Sequence, residues 1–202
     1  KGGDGRMHAT IGPLDIEMAA ACVPEPLAAR LKKFADLEDE LILELLREQH
    51  GRPGGGWSFE PTWQAGYSSG VSAGWAMFAL GRYEQVKKEP LRDIIVAVAD
   101  AYLNALPTED VDVWPMTFGH IISAEIAAYR LTRRDIYLDQ ARRFARMAVD
   151  MFWQGHPLPR AGFKTGHYES ITGADSLALA LLEVHAAINN LKTPIPSNTI
   201  DR

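Results

Sequence analysis

The chain has 202 residues, 47 % of them hydrophobic, and a formal net charge of −5 from 21 basic and 26 acidic residues. This length and apolar content support one domain with a full core and exclude a disordered chain. The acidic balance lacks the basic face that nucleic-acid binding uses, so no nucleic-acid partner is expected.

Cys22 is the single cysteine, which excludes an internal disulfide and a thiolate zinc cluster. No apolar run approaches the roughly 20 residues of a membrane span. The chain begins at Lys1 without a methionine and shows no signal peptide, so residues 1–202 are expected to be one domain cut from a larger protein. A processed fragment fits a secreted or periplasmic location, and otherwise the cytoplasm fits.

Residues 1–12 are glycine-rich and polar and read as a loop. Leu14 to Cys22 reads as a short apolar helix, closed by Pro24 and Pro26. Leu27 to Gln49 is the longest helical pattern, with Leu31, Phe34, Leu37, Leu41 and Leu45 as an apolar stripe opposite a charged face. Gly51-Arg-Pro-Gly-Gly-Gly56 breaks it, and the aromatic loop Trp57 to Trp63 follows. Helices are expected from about Val71 to Tyr83 and, with Pro90 at its start, from Leu91 to Leu106. Pro107 to Pro115 is a loop carrying Glu109, Asp110, Asp112 and Trp114. A helix from about His120 to Leu131 precedes one from Ile136 to Trp153, capped by Asp135. After a glycine- and proline-rich loop, Gln154 to Gly166, the last helix runs from about Gly173 to Leu191, and Thr193 to Arg202 frays.

One pattern recurs about every fifty residues: an aromatic residue, a polar stretch and a small-residue helix. Its copies are Tyr67-Ser-Ser-Gly-Val-Ser-Ala73, Phe118-Gly-His-Ile-Ile-Ser-Ala124 and Tyr168-Glu-Ser-Ile-Thr-Gly-Ala174. Fifty residues make two helices with their connections. Helices after the motif are small and apolar nearly all round, which marks buried helices, while those between carry a charged face. No stretch alternates with a period of two, so no sheet is expected. The expected fold is all-α, an inner helical layer ringed by an outer one, with three to three and a half hairpins.

In repeat length and helix character, though not in a diagnostic motif, the chain resembles the α/α-toroid superfamily, which includes six-hairpin glycosidases, polysaccharide lyases and terpenoid cyclase-like proteins. A full six-hairpin ring at this period takes about 300 residues, so the resemblance implies a partial toroid or an open arc. It also implies a working surface where inner-helix N-termini gather. That rim would carry Tyr67, Phe118 with His120, and the run His167-Tyr168-Glu169.

These residue types suit carbohydrate chemistry. A neutral histidine or ionised tyrosine can remove a proton α to a carboxylate while an acid protonates the leaving oxygen, which is β-elimination. Arg160 and Lys164 are candidates to neutralise the substrate carboxylate. Hydrolysis needs two carboxylates, with Glu169 as one and Asp110, Asp112 or Glu60 as the other. Trp57, Phe59, Trp63 and Trp114 offer flat faces for sugar rings, although the same rings also serve to plug hairpin ends. Glu125 and Asp175 are explained as first-turn acids at helix N-termini. No HExxH, P-loop, dinucleotide or Gly-x-Ser-x-Gly pattern occurs, so no metal and no cofactor is expected. Two functions follow as expectations: a carbohydrate-active domain, lyase or hydrolase, centred on His167, Tyr168, Glu169 and His120, or a non-catalytic helical-repeat module that binds a partner protein.

Overall fold

The structure, a computed structural model, describes residues 12–63, 72–108, 110–192, 195 and 198. Among these residues the chain is all-α. Its helices are α1 (Pro13–Ala20), α2 (Leu27–His50), α3 (Ser72–Val86), α4 (Glu89–Tyr102), α5 (Pro115–Thr132), α6 (Asp135–Phe152) and α7 (Ala174–Ile188), with a 3-10 turn at Ser170–Thr172. Most of the N-terminal loop and of the frayed tail fall outside the described residues.

The helix boundaries differ most from the sequence reading at the start of α5 and the end of α4. Helix α5 begins at Pro115 rather than near His120, because a proline at the first helical position brings its own φ and needs no amide partner. Helix α4 ends at Tyr102, and Leu103 to Leu106 leave the helix.

Alternate helices are neighbours. α1 packs on α3, α3 on α5, and α5 on α7, while α2 lies on α1, α4 on α3 and α5, and α6 on α5 and α7. Helix α5 is the centre of this arrangement, and every residue from Thr117 to Ala128 except His120 is buried. Close approach needs small residues. A Cβ on Gly119 would lie 2.7 Å from the backbone carbon of Ser176, so α7 runs directly against α5 at that point.

A row of aromatic rings ties the layers at one end. Trp63 lies 5.4 Å from Phe118, 5.7 Å from Tyr102 and 5.9 Å from Phe144, and Phe118 also packs on Phe152 at 5.7 Å. The Tyr102 hydroxyl donates to the Thr62 carbonyl at 2.8 Å and accepts from the Thr62 amide at 3.1 Å, closing the loop before α3.

The other end is held by a buried ion pair. Arg82 of α3 donates Nε to Asp39 Oδ1 at 2.8 Å and Nη2 to Asp39 Oδ2 at 2.7 Å, with both side chains fully buried. Lys88 adds a 3.2 Å contact to Asp39. Gln85 accepts from Arg82 and donates to the Leu14 carbonyl at 3.1 Å. One guanidinium thereby links α1, α2, α3 and the start of α4.

Helix α2 departs from the usual arrangement of an amphipathic helix. Its buried face is Ala28, Ala35, Asp39, Leu43 and Leu46, and Phe34, Leu37, Leu41 and Leu45 are exposed.

Removing one partner of a buried pair strands the other's charge, a loss of about 3–5 kcal/mol. Arg82→Met is expected to lower the unfolding free energy by about that amount in urea titration, and the double change R82M/D39L to recover a large part. Equal losses in the single and double variants would show that the pair is not what fixes these helices.

Candidate functional site

The starts of α3, α5 and α7 lie together. Met116, in the first turn of α5, lies where a Cβ on Gly173 would fall, at 2.5 Å, and Gly173 is the left-handed cap (φ 71°) that opens α7. Trp63, just before α3, touches Phe118 of α5. The α4 and α6 C-termini, Tyr102 and Phe152, reach the same aromatic cluster. Loops 57–63, 103–114 and 153–173 therefore meet where α3, α5 and α7 begin.

Two of these loops are stitched together by Asp112. Its Oδ1 accepts the Lys164 amide at 2.5 Å and its Oδ2 accepts the Thr165 hydroxyl at 2.7 Å. Gly162 is small by necessity, since an added Cβ would lie 2.5 Å from the same carboxylate. The Phe163 amide donates to the Val113 carbonyl at 3.0 Å, the Ala161 amide to the His167 carbonyl at 2.7 Å, and Lys164 Nζ to the Asp110 carbonyl at 2.9 Å. The result is a braced platform that leads directly into His167.

On that platform His167 Nε2 and Glu169 Oε1 are 2.5 Å apart, both exposed, and Tyr168 between them in sequence is 44 % exposed. A carboxylate on one imidazole nitrogen fixes the ring's orientation and leaves the other nitrogen to accept or donate a proton. At such exposure the pair contributes little to stability.

The remaining nominated residues divide clearly. His120 is half-buried in the second turn of α5, and Trp114 is half-buried as its N-cap residue. Asp112 braces the loops, and Asp110 and Lys164 share the contact just described. Arg160 donates its amide to the Phe152 carbonyl at 2.9 Å, while its Nε is buried without a partner. Trp63 is enclosed by the aromatic cluster and 7 % exposed, so packing describes its position. Trp57 packs against Phe59 at 6.4 Å, and its open edge lines a concavity of about 430 Å3 with Arg47, Arg52, Pro90 and Asp93, apart from the loop of His167. Tyr67 lies outside the described residues. The repeat's aromatic positions are thus not equivalent in setting: Phe118 is core and Tyr168 is surface.

Sequence reasoning missed the buried acids. Glu125 stands in the third turn of α5, fully buried, with both carboxylate oxygens lacking a hydrogen-bond partner. Burial, reinforced by the nearby Asp100 charge, pushes its pKa from 4.5 up to about 9. The helix-terminus explanation therefore fails for Glu125, while exposed Asp175, second residue of α7, fits it. Glu183 is also buried, and burial raises its pKa against the opposing influence of Ser123 and Arg130, the latter 3.5 Å away. Near Glu125, the Tyr137 hydroxyl donates to Asp100 at 2.7 Å and accepts from Arg134 at 2.8 Å. Burial and Asp100 hold that hydroxyl well above its ordinary pKa. Among the described residues no group of three or more His, Cys, Asp or Glu is placed to hold a metal ion, and no helix is long and apolar enough to cross a membrane.

Two measurements probe these groups. Cutting the Asp112 brace with Asp112→Ala is expected to speed trypsin cleavage after Lys164 by roughly tenfold or more, through easier local opening. An unchanged rate would mean the loop is held without Asp112. Glu125 is neutral in the fold where an unfolded carboxyl is ionised, so the folded chain binds the extra proton between pH 4.5 and about 9. Its stability contribution is complete below pH 4.5 and is lost as pH rises towards 9. Glu125→Gln should therefore gain stability over the native chain progressively across that window, reaching a few kcal/mol, about 1.4 kcal/mol per unit of pH at most. A gain independent of pH in denaturant titrations would place the ionisation elsewhere.

No family model matches the chain, and neither a curated protein nor a solved structure matches it.

Proposed function

We propose that this chain is part of an α/α toroid or open arc and that it binds, and cleaves, a poly- or oligosaccharide at the inner-helix rim. The neighbour relations α1–α3–α5–α7, with α2, α4 and α6 outside them, support the arc. The observation that carries the site is the exposed His167–Glu169 pair beside Tyr168, on a loop braced by Asp112.

Within this reading the lyase chemistry has the better-placed groups. Glu169 orients His167, whose free imidazole nitrogen removes the proton α to a uronate carboxylate. The electrons form a carbon–carbon double bond as the glycosidic C–O bond breaks, and the Tyr168 hydroxyl gives its proton to the leaving oxygen. Hydrolysis would pair Glu169 with Asp110 or Glu60, since Asp112 is committed to the loop.

The test uses uronate-containing and neutral polysaccharides, following ultraviolet absorbance of unsaturated products and release of reducing ends. Absorbance that appears with uronate chains and falls at least 100-fold in His167→Ala and Glu169→Gln is expected. A full-length protein that forms no product and binds no polysaccharide on affinity gels would overturn the carbohydrate reading.

One observation favours the second reading, a non-catalytic helical module that binds protein. Helix α2 turns five large apolar side chains to solvent, and single-helix stripes of this kind are recognition surfaces.

A further inference from the structure

Helix α2 is 24 residues long, about 36 Å. Leu27, Phe34 and Leu41 recur every seven residues and are 44 %, 50 % and 59 % exposed. Leu37 and Leu45 lie beside them at 48 % and 37 %. At 100° per residue these five side chains fall within one stripe less than a quarter-turn wide, the spacing of a helix that pairs with another helix. A partner lying along the whole stripe would cover an area on the order of the roughly 800 Å2 per side of a standard interface.

The charges on this stripe are segregated by position. Arg30 and Lys33 lie in its N-terminal half, Glu38 at its middle, and Glu44 and Glu48 in its C-terminal half. Arg30, Lys33, Glu44 and Glu48 are exposed, and none of the five makes an ion pair among the described residues. Glu44 and Glu48 are four apart on one face, where like charges repel. A second α2 in parallel would set acid against acid and base against base. An antiparallel α2 places Arg30 and Lys33 against Glu44 and Glu48 of the other copy, twice over, about a two-fold axis.

We propose that two copies of this chain associate through α2 in antiparallel register, Phe34 packing on Leu41 of the partner copy and the two-fold axis passing near Leu37 and Glu38. The heptad stripe supplies the apolar seam, and the charge segregation selects both the orientation and a second copy as the partner. This pairing gives the protein-interaction reading its partner and is independent of sugar binding at the rim, so loss of either leaves the other to be measured.

The experiment is sedimentation velocity on the full chain from about 1 to about 200 μM at low salt, the span a moderate dimer needs, with circular dichroism to confirm folding. A concentration-dependent dimer is expected. Leu41→Glu, at a solvent-facing position, should keep the native helix signal and raise the dimer Kd roughly 100-fold. Arg30→Glu and Glu48→Arg should each raise Kd about threefold to tenfold, and the double change R30E/E48R should restore it. A parallel pair would show no such restoration. A folded chain that stays monomeric at the highest concentration overturns the proposal and assigns the stripe to a different protein or to another segment of a longer chain. A dimer untouched by Leu41→Glu, or one whose single charge changes are not rescued by the double change, overturns it equally.

Discussion

The burial of α5 on all sides is the constraint on which the other elements depend. It touches α3, α4, α6 and α7, so each of its faces must be compatible with a different neighbour. Isoleucines at 121, 122 and 126 fill the wider gaps, and Gly119, Ala124, Ala127 and Ala128 permit the close ones. Gly119 is the tightest case, because α7 backbone occupies the space a side chain would need. With α5 and α7 locked at that point, the start of α7 is fixed over Met116, and the loop that carries His167 is fixed with it.

A helix buried all round gives its polar residues no exit to water. Glu125 shows the consequence: its carboxyl has neither solvent nor partner, and proton uptake replaces both. Glu183 of α7 is relieved only in part: Ser123 and Arg130 of α5 stand against it, while its Oε2 is buried without a partner. Arg82 and Asp39 solve the same problem with a complete set of partners. These arrangements differ in cost for a physical reason. A neutralised acid loses only its hydration, whereas a buried ion must have its whole field compensated by neighbours.

The alternation of apolar and charged-face helices was legible from residues alone, because a helix such as Ala124 to Tyr129 has no polar face to offer water. The all-α class follows from it. The platform beneath His167 was not legible, since Asp112 and Lys164 meet only after α5 and α6 bring their loops together. The buried aromatics show a further limit. Trp63 and Trp114 look alike in sequence, each opening an inner helix, yet Trp63 is enclosed by Tyr102, Phe118 and Phe144, while Trp114 stays half-buried. Which ring closes the core depends on neighbours 39 to 81 residues away, and local pattern contains nothing of them. Glu125 misled for a simpler reason. Placing the helix start at His120 put it near the terminus, and the true start at Pro115 moves it to the third turn.

The same logic explains why α2 faces the way it does. Asp39 and the leucine stripe lie on opposite sides of one helix, so only one can point inward. Rotating the stripe inward would expose Ala28, Ala35, Leu43 and Leu46 in its place, so exchanging the two faces recovers only part of its burial. Arg82 also opposes that exchange, because it is fully buried among α1, α2 and α3 and would be left uncompensated without Asp39. The rotation is therefore held by Leu43 and Leu46 on the inward face together with the Asp39–Arg82 pair, and the apolar stripe is left outside. A second α2 covers it without disturbing Asp39, since the two faces are half a turn apart.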